Sequence, residues 1–83
     1  MSPTANKDQI QERLTEALAG FGADRDAVTR DATWEELDVD SLDLVELAQV
    51  VEDEYGVQMK EEEIKEITNV GQAVDFVAER AGS

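Results

Sequence analysis

The sequence predicts an all-α fold, a small four-helix bundle of three longer helices and one short helix with a long loop between the first two. Apolar residues recur every three or four positions in three stretches, which is the spacing of one face of a helix. No stretch shows the alternation of apolar and polar residues that is typical of a half-buried strand. With 83 residues we expect one domain spanning 1–83, with flexible ends at about 1–6 and 81–83.

The first helix is predicted from about Lys7 to Ala19. Asn6 precedes it, with Gln9 three residues later, and this pattern resembles a capping box. Gly20 and Gly22 then provide the signal at which the helix ends. The apolar face of this helix consists of Ile10, Leu14, Ala17, Leu18 and Phe21.

A connection follows from about Gly20 to Asp40, and it exceeds the usual length of a loop. Its apolar residues Val28, Trp34 and Leu37 are spaced irregularly, so they fit neither a helix nor a strand. We interpret them as anchors that hold the loop against the core. The segment TWEEL, residues 33–37, is predicted to form a short helical turn.

The second helix is predicted from about Ser41 to Tyr55, and Gly56 marks its end. On a helical projection, Leu42 and Val45 lie roughly 100–160° away from Leu44, among acidic residues. Two aliphatic side chains are therefore expected on the outward face, a pattern that fits either ordinary surface variation or a binding surface. The inward stripe consists of Leu44, Leu47, Ala48, Val51 and Tyr55.

Two further helices follow. The run EEEIKEI, residues 61–67, is long enough only for a short helix, with Ile64 and Ile67 directed inward. Thr68 or Asn69 then caps the last helix. Phe76 lies off the apolar stripe of this helix and is expected to cover an edge of the bundle. The stripe consists of Val70, Ala73, Val74, Val77 and Ala81.

The composition argues against catalysis. The chain has neither cysteine nor histidine, so it lacks a thiolate nucleophile and the commonest metal ligand, and we expect no enzymatic activity. Its net charge of −14 disfavours nucleic acid and anionic membranes and favours partners with basic patches. Thirteen acids but only two bases lie between Glu35 and Glu66, so the contact surface is expected there. No signal peptide or membrane span is visible, and we expect a cytoplasmic monomer.

Ser41 lies between two aspartates in the stretch DVDSLDLVEL, residues 38–47, at the predicted start of a helix. One interpretation is a helix cap, because Ser and Asp are favoured there. The other is attachment of a phosphate-linked group, which the unpaired N–H groups and positive dipole of a helix N-terminus would suit. A calcium loop is excluded, because Leu42 and Asp43 occupy positions that require an oxygen ligand and a glycine, and we expect no specific metal site.

The stretch DVDSLDLVEL closely resembles the acyl carrier proteins of type II fatty acid and polyketide synthesis, whose signature is Asp-Ser-Leu at the start of the second helix. The resemblance also covers ATWEELDVDS, EDEYGV, EEEI and ITNVGQAVDFV, so it spans nearly the whole chain after about Val28. The chain departs from the family at two positions. Many members have glycine in place of Asp38 and proline in place of Lys60.

The resemblance implies that Ser41 carries 4′-phosphopantetheine, added from coenzyme A by a phosphopantetheinyl transferase. The arm would supply the thiol that the chain lacks and carry acyl groups as thioesters between acyltransferases, ketosynthases and other enzymes with basic patches. The family also has a docking face, which here would consist of Asp40, Leu42, Asp43, Val45, Glu46, Gln49, Glu52 and Asp53. A cleft for the acyl chain would be lined by Leu44, Leu47, Val51, Ile67 and Val74.

Two alternatives remain open at this point. The first is a carrier of aminoacyl or peptidyl groups in nonribosomal synthesis, although such carriers usually have a less acidic second helix. The second is an unmodified acidic interaction module in which Ser41 serves only as a cap. The intact mass after treatment with a phosphopantetheinyl transferase separates this second alternative from both kinds of carrier.

Overall fold

The computed structural model describes residues 6–81, and within them it confirms the predicted all-α bundle. It contains α1 (Lys7–Gly20), α2 (Ser41–Tyr55), the short α3 (Glu61–Glu66) and α4 (Val70–Ala81). The ends that we expected to be flexible, about 1–6 and 81–83, lie mostly outside the described residues. Across residues 6–81, none of the helices has the length and apolar character needed to span a bilayer.

Local signals set the bounds of the first two helices. The Asn6 side chain accepts a hydrogen bond from the Gln9 N–H at 2.8 Å, as the sequence pattern predicted. α1 ends at Gly20, one residue later than predicted. α2 has the predicted bounds, because Asp40 caps its first turn and Gly56 follows its last residue in the left-handed region, at φ 68°.

The loop between α1 and α2 contains a short helical segment that was not predicted. Arg25–Ala27 forms a 3₁₀ turn, which begins where the Asp24 side chain accepts a hydrogen bond from the Asp26 N–H at 3.0 Å. The helical turn predicted at TWEEL is present as hydrogen-bonded turns between Thr33 and Val39. The buried side chains of the loop include the three predicted anchors and are Val28, Ala32, Trp34, Leu37 and Val39.

The last two helices begin with different caps. At α3 the Glu63 carboxylate accepts a hydrogen bond from the Lys60 N–H at 2.9 Å. This bond is the main reason why the pKa of Glu63 lies below its ordinary value of 4.5. At α4 the cap is Asn69, whose side chain accepts a hydrogen bond from the Gln72 N–H at 2.8 Å. Phe76 lies half-buried beside the apolar stripe of α4, as expected for a residue at an edge of the bundle.

The longer helices enclose an aliphatic core. α1 lies mainly against α4, and α2 contacts α1, α3 and α4. The fully buried large side chains all come from α1, α2 and α4 and are Ile10, Leu14, Leu18, Val51, Val70, Val74 and Val77. No residue within the bounds of α3 is buried, so this short helix lies at the margin of the core.

The first half of the loop is fastened to α4. The Gly71 N–H donates to the Arg30 carbonyl at 2.8 Å, and a Cβ at Gly71 would lie 2.9 Å from that oxygen, so only glycine fits without displacement. The Arg30 guanidinium lies 2.9 Å and the Lys7 ammonium 3.1 Å from the Asp75 carboxylate. These two cations, Arg30 first, hold the pKa of Asp75 below its ordinary value of 3.8. The loop is therefore fixed to α4 at Arg30, well before α2 begins at Ser41.

Candidate functional site

Ser41 is the first residue of α2, and its side chain is exposed. The residue before it, Asp40, is the N-cap, because its carboxylate accepts a hydrogen bond from the Asp43 N–H at 3.0 Å. The Leu44 N–H donates to the Asp40 carbonyl at 3.0 Å and closes the first turn. The helix therefore begins without using the serine hydroxyl.

This geometry bears on the two interpretations of Ser41. A capping serine accepts a hydrogen bond from an N–H two or three residues later, but here that role belongs to Asp40. Among residues 6–81, no hydrogen bond involves the Ser41 hydroxyl. The interpretation of Ser41 itself as the cap is therefore wrong. The hydroxyl is instead exposed to solvent at a helix N-terminus.

An open groove of about 520 Å³ begins beside Ser41, and its volume lies in the range of small-molecule sites. Its walls come from the turn before α2, the first turns of α2, and α3 with the residues that follow it. The apolar lining consists of Trp34, Leu44, Val45, Ile64 and Ile67. The polar lining consists of Thr33, Glu35, Ser41, Glu61, Lys65 and Thr68.

A second space lies further inward and touches buried Leu47 and Ala73. Its volume is about 10 Å³, at or below what a single water molecule needs. The groove and this inner space share four lining residues, Trp34, Leu44, Ile64 and Ile67, which therefore separate the two. The groove thus leads toward the core but is closed at its base.

Hydrogen bonds join the loop wall of the groove to the end of α3. The Trp34 indole N–H donates to the Ile67 carbonyl at 2.8 Å, and Trp34 is only 8 % exposed. Next to this contact, Thr33 and Asn69 form an isolated β-bridge. These contacts hold one wall of the groove in place, because the loop and the end of α3 cannot separate without breaking them.

Acidic side chains surround Ser41. Asp40 precedes it, and Glu35 and Glu61 lie on the rim of the groove. Lys65 is the one cation among the residues that line the groove, and it lies 3.9 Å from Glu61. Within the part of the chain that the structure describes, no group of three or more carboxylates is arranged to hold a metal ion. The field around the serine therefore favours partners with positive charge.

The residues predicted to dock partners lie on the outward face of α2 and at its first turn. Leu42 and Val45 are large apolar side chains that are nevertheless 76 % and 56 % exposed. Asp43 is half-buried, and the remaining members are exposed, namely Asp40, Glu46, Gln49, Glu52 and Asp53. The structure places two apolar and several acidic side chains along one face of α2, the helix that begins at Ser41. Their role in docking stays a prediction.

The predicted cleft residues fall into two groups. Leu44 and Ile67 line the groove, and together with Leu47 they also line the inner space. Val51 and Val74 line neither space; they are fully buried in the core. Helical spacing shows which side chains point inward but not how deep they lie, so it could not separate core residues from groove residues.

Several residues of the groove were not predicted to belong to a site. Trp34 was interpreted only as a loop anchor, and Ile64 only as an inward residue of the short helix. Lys65 and Glu61 carried no signal beyond their place in an acidic segment. The helical spacing of Ile64 and Ile67 could have placed Ile64 in the site, because it indicated that both side chains point inward. No local pattern reveals Trp34, because its partner Ile67 lies 33 residues further along the chain.

Fold and site together define a small helical carrier domain. An exposed hydroxyl at a helix N-terminus can bear a covalently attached group, and the groove beside it can receive the far end of that group.

The family described as the phosphopantetheine attachment site matches residues 12–77, which include Ser41. The chain is also similar to the acyl carrier protein of Rubrobacter xylanophilus, with 40 % identity over 76 residues that cover 89 % of this chain and 94 % of the relative. The chain therefore belongs to the phosphopantetheine-binding family of acyl carrier proteins. Its members carry acyl groups on 4′-phosphopantetheine and are not catalysts. The resemblance that the sequence showed is confirmed.

Proposed function

We propose that Ser41 is the residue to which 4′-phosphopantetheine is attached, and that the chain serves enzymes of fatty acid or polyketide synthesis. The observation that supports the assignment is the position of the hydroxyl, which is exposed at the first residue of α2 while Asp40 provides the cap. Ser41 is also the serine of the Asp-Ser-Leu motif and lies within the range 12–77 that matches the family.

The surroundings of Ser41 fit the cofactor. A phosphodiester on the Ser41 oxygen would lie at the N-terminus of α2, where the N–H groups of Ser41 and Leu42 have no partner within the helix. The positive end of the helix dipole favours an anion there and partly offsets the carboxylates of Asp40 and Asp43. When attached, the group supplies the thiol that the chain, which has no cysteine, lacks.

The groove beside Ser41 shelters the acyl chain in this proposal. Leu44 and Val45 begin its apolar lining close to the serine, and Trp34 and Ile67 close its base. Hydrocarbon that enters the groove leaves water and covers apolar side chains, and each Å² of apolar area so buried contributes roughly 25 cal/mol. Val51 and Val74 are buried in the core and have no part in this lining, whereas Leu47 would line the groove once the inner space opens.

The outward face of α2 is the proposed docking surface for partner enzymes, which use the chain as their substrate. Leu42 and Val45 would form its apolar centre, and the acidic residues of α2 its rim. Exposed apolar residues with a polar rim are typical of protein interaction sites. The acidic rim would steer the basic patches of a phosphopantetheinyl transferase, and then of acyltransferases and ketosynthases, toward Ser41.

The intact mass of the chain after incubation with coenzyme A and a phosphopantetheinyl transferase tests the assignment. We expect the parent chain to gain one phosphopantetheine and Ser41→Ala to gain none. Because Asp40 still caps α2, the substitution should change the free energy of unfolding by no more than about 0.5 kcal/mol. Circular dichroism and thermal melting of the variant check that it is folded.

Thr33→Ala is the matched control, since Thr33 also carries a hydroxyl and lines the same groove. This variant should be modified as fully as the parent. Peptide mapping then locates the modification. Phosphopantetheine on Ser2, Ser83 or any threonine instead of Ser41 would contradict the assignment.

A further inference from the structure

Trp34 stands at the base of the groove, where the loop, α2 and α3 meet. Its side chain lines both the groove and the inner space, and its indole N–H is bonded to the Ile67 carbonyl at 2.8 Å. We propose that Trp34 is a specificity-determining residue. Its indole, hydrogen-bonded to the Ile67 carbonyl, limits the length of the acyl chain that the groove can shelter. This inference rests on the proposed attachment at Ser41 and on the proposed role of the groove.

The four side chains that separate the groove from the inner space are not equally free to move. Leu44 and Ile64 are half-buried alkyl groups, so their displacement breaks no hydrogen bond. Trp34 and Ile67 are buried, and the Trp34 indole donates a hydrogen bond to the Ile67 carbonyl. Displacement of the indole would leave a donor and a carbonyl unpaired away from water, which is unfavourable. Trp34 is therefore the rigid part of the partition.

The same hydrogen bond restrains α3. Ile67 is the residue directly after this helix, so its carbonyl moves with the helix. α3 has only six residues, none of them buried, so a helix this short depends on its contacts with the rest of the fold for its position. At the first half of the helix the Glu63 carboxylate lies 2.7 Å from the Arg80 guanidinium, and at the end Trp34 holds Ile67. Widening the gap between α2 and α3 would therefore strain the Trp34 bond.

The two volumes indicate where the limit falls. The groove, at about 520 Å³, receives a group of small-molecule size without rearrangement. The inner space, at about 10 Å³, receives nothing until its walls move. A short acyl chain can thus rest against the indole, whereas a longer chain must displace it or remain partly in water.

Thermal melting of acyl-loaded protein tests the role of Trp34. The phosphopantetheinylated chain is loaded with butanoyl, octanoyl, dodecanoyl or hexadecanoyl groups in the parent, Trp34→Phe and Trp34→Leu. A sheltered chain interacts with the folded state alone and so raises the melting temperature. In the parent, this rise should reach a plateau as the chain lengthens. In Trp34→Leu the plateau should move to a longer acyl chain. Trp34→Phe keeps a ring but loses the hydrogen-bond donor, so its plateau should lie between those of the parent and Trp34→Leu.

Leu37→Ala is the matched control, because Leu37 is buried in the same loop but lines neither space. It should lower every melting temperature and leave the plateau at the chain length of the parent.

A second measurement uses the parent alone and does not depend on the folding of any variant. The chain contains one tryptophan, so its indole N–H gives a single NMR resonance. While the indole is bonded to the Ile67 carbonyl, this proton exchanges slowly with solvent. We expect slow exchange with no acyl group and with short ones, and exchange faster by roughly tenfold or more beyond the plateau length.

Equal plateaus in the parent and in folded Trp34→Leu would overturn the inference, as would an indole exchange rate that is independent of chain length. A parent whose melting temperature responds to no acyl group would overturn it too. Failure of the proposed function is distinct from these results, because it appears earlier, as a chain that gains no phosphopantetheine at Ser41.

Discussion

Asp38, three residues before Ser41, has a φ of 60°, in the left-handed region that favours glycine. Its N–H donates to the Glu35 carbonyl at 3.2 Å and closes the turn that leads into α2. Many members of the family have glycine at this position, and the backbone shows why glycine suits it. Aspartate is among the few other residues that adopt this conformation with modest strain, so the chain keeps the turn and gains a charge next to the site.

Two substitutions at this position isolate the effect of the backbone. Asp38→Gly and Asp38→Ala remove the same charge and differ only in the Cβ atom. At φ 60° the Cβ of alanine is strained, so we expect Asp38→Ala to unfold more easily than Asp38→Gly by about 1 kcal/mol. In a domain of this size that difference corresponds to roughly 4–8 °C in melting temperature. Equal melting temperatures for the two variants would show that residue 38 is not held in the left-handed region.

At the scale of single elements, the sequence predicted what local contacts determine. The bounds of α2 were predicted because the signals at both ends are local, with Asp40 bonding the Asp43 N–H and Gly56 following the last residue. The 3₁₀ turn at Arg25–Ala27 was missed, although the aspartate before it is a usual signal for such a turn. A cleft was expected from the family resemblance alone, and helical spacing could not place its loop wall, because that wall depends on the contact between Trp34 and Ile67, which joins distant segments.

Helical spacing gave the direction of the α2 side chains correctly. Leu47 is buried, at 3 % exposure, while Val45 and Leu42 are exposed as predicted. Leu44 was assigned to the inward stripe, but it is half-buried and lines the groove. An inward direction therefore leads to the core in the second turn of α2 and to the groove in the first, where α3 and the loop before α2 form the other walls.

Substitutions on the two faces of α2 should have opposite effects on folding and on transfer. Val45→Ala should leave the free energy of unfolding nearly unchanged, because Val45 is exposed. It should weaken contact with an enzyme, since full burial of a side chain of this size contributes about 1.5–3 kcal/mol. Glu46→Lys should also fold, and it should slow association with basic partners in a salt-dependent way. Leu47→Ala should instead destabilise the fold by about 2–5 kcal/mol.

Helicity, melting temperature and acyl transfer are measured in parallel for these three variants and the parent. The proposed docking face requires that Val45→Ala and Glu46→Lys melt no lower than the parent and transfer poorly, whereas Leu47→Ala mainly loses stability. Arg25→Ala serves as a control on the loop, since Arg25 is exposed and lies outside the acidic segment. If Val45→Ala and Glu46→Lys transfer as well as the parent with every partner tried, the outward face of α2 is not the docking surface.

At the scale of the whole molecule, a net charge of −14 is confined to a body of 37 × 27 × 19 Å. Basic residues paired with carboxylates include Lys7, Arg13, Arg30, Lys65 and Arg80. These pairs lie at the surface, where each contributes roughly 0.2–1 kcal/mol and is weakened by salt. The excess of acids over bases is larger than these pairs can offset, so compaction increases the repulsion.

Salt should therefore stabilise the folded chain. At about 0.01 M ionic strength the Debye length is roughly 30 Å, comparable to the dimensions of the molecule, so nearly all acids repel one another. At about 0.15 M it is roughly 8 Å, and only neighbouring acids still interact. We expect the melting temperature to rise between these two conditions by about 4–8 °C for each kcal/mol of repulsion that is screened. A melting temperature that falls with salt would mean that the surface ion pairs outweigh the repulsion.

Magnesium separates screening from binding in the same experiment. Residues 6–81 contain no cluster of three or more carboxylates that is arranged to hold a metal ion. Magnesium chloride and sodium chloride at equal ionic strength should therefore raise the melting temperature by similar amounts. A much larger rise with magnesium would reveal a specific site. Glu12→Lys is the matching variant, since Glu12 is exposed in the middle of α1, away from the helix ends, and its reversal lowers the net negative charge without removing a core contact. If repulsion limits stability, this variant should melt above the parent at low salt, and the two should converge as salt is added.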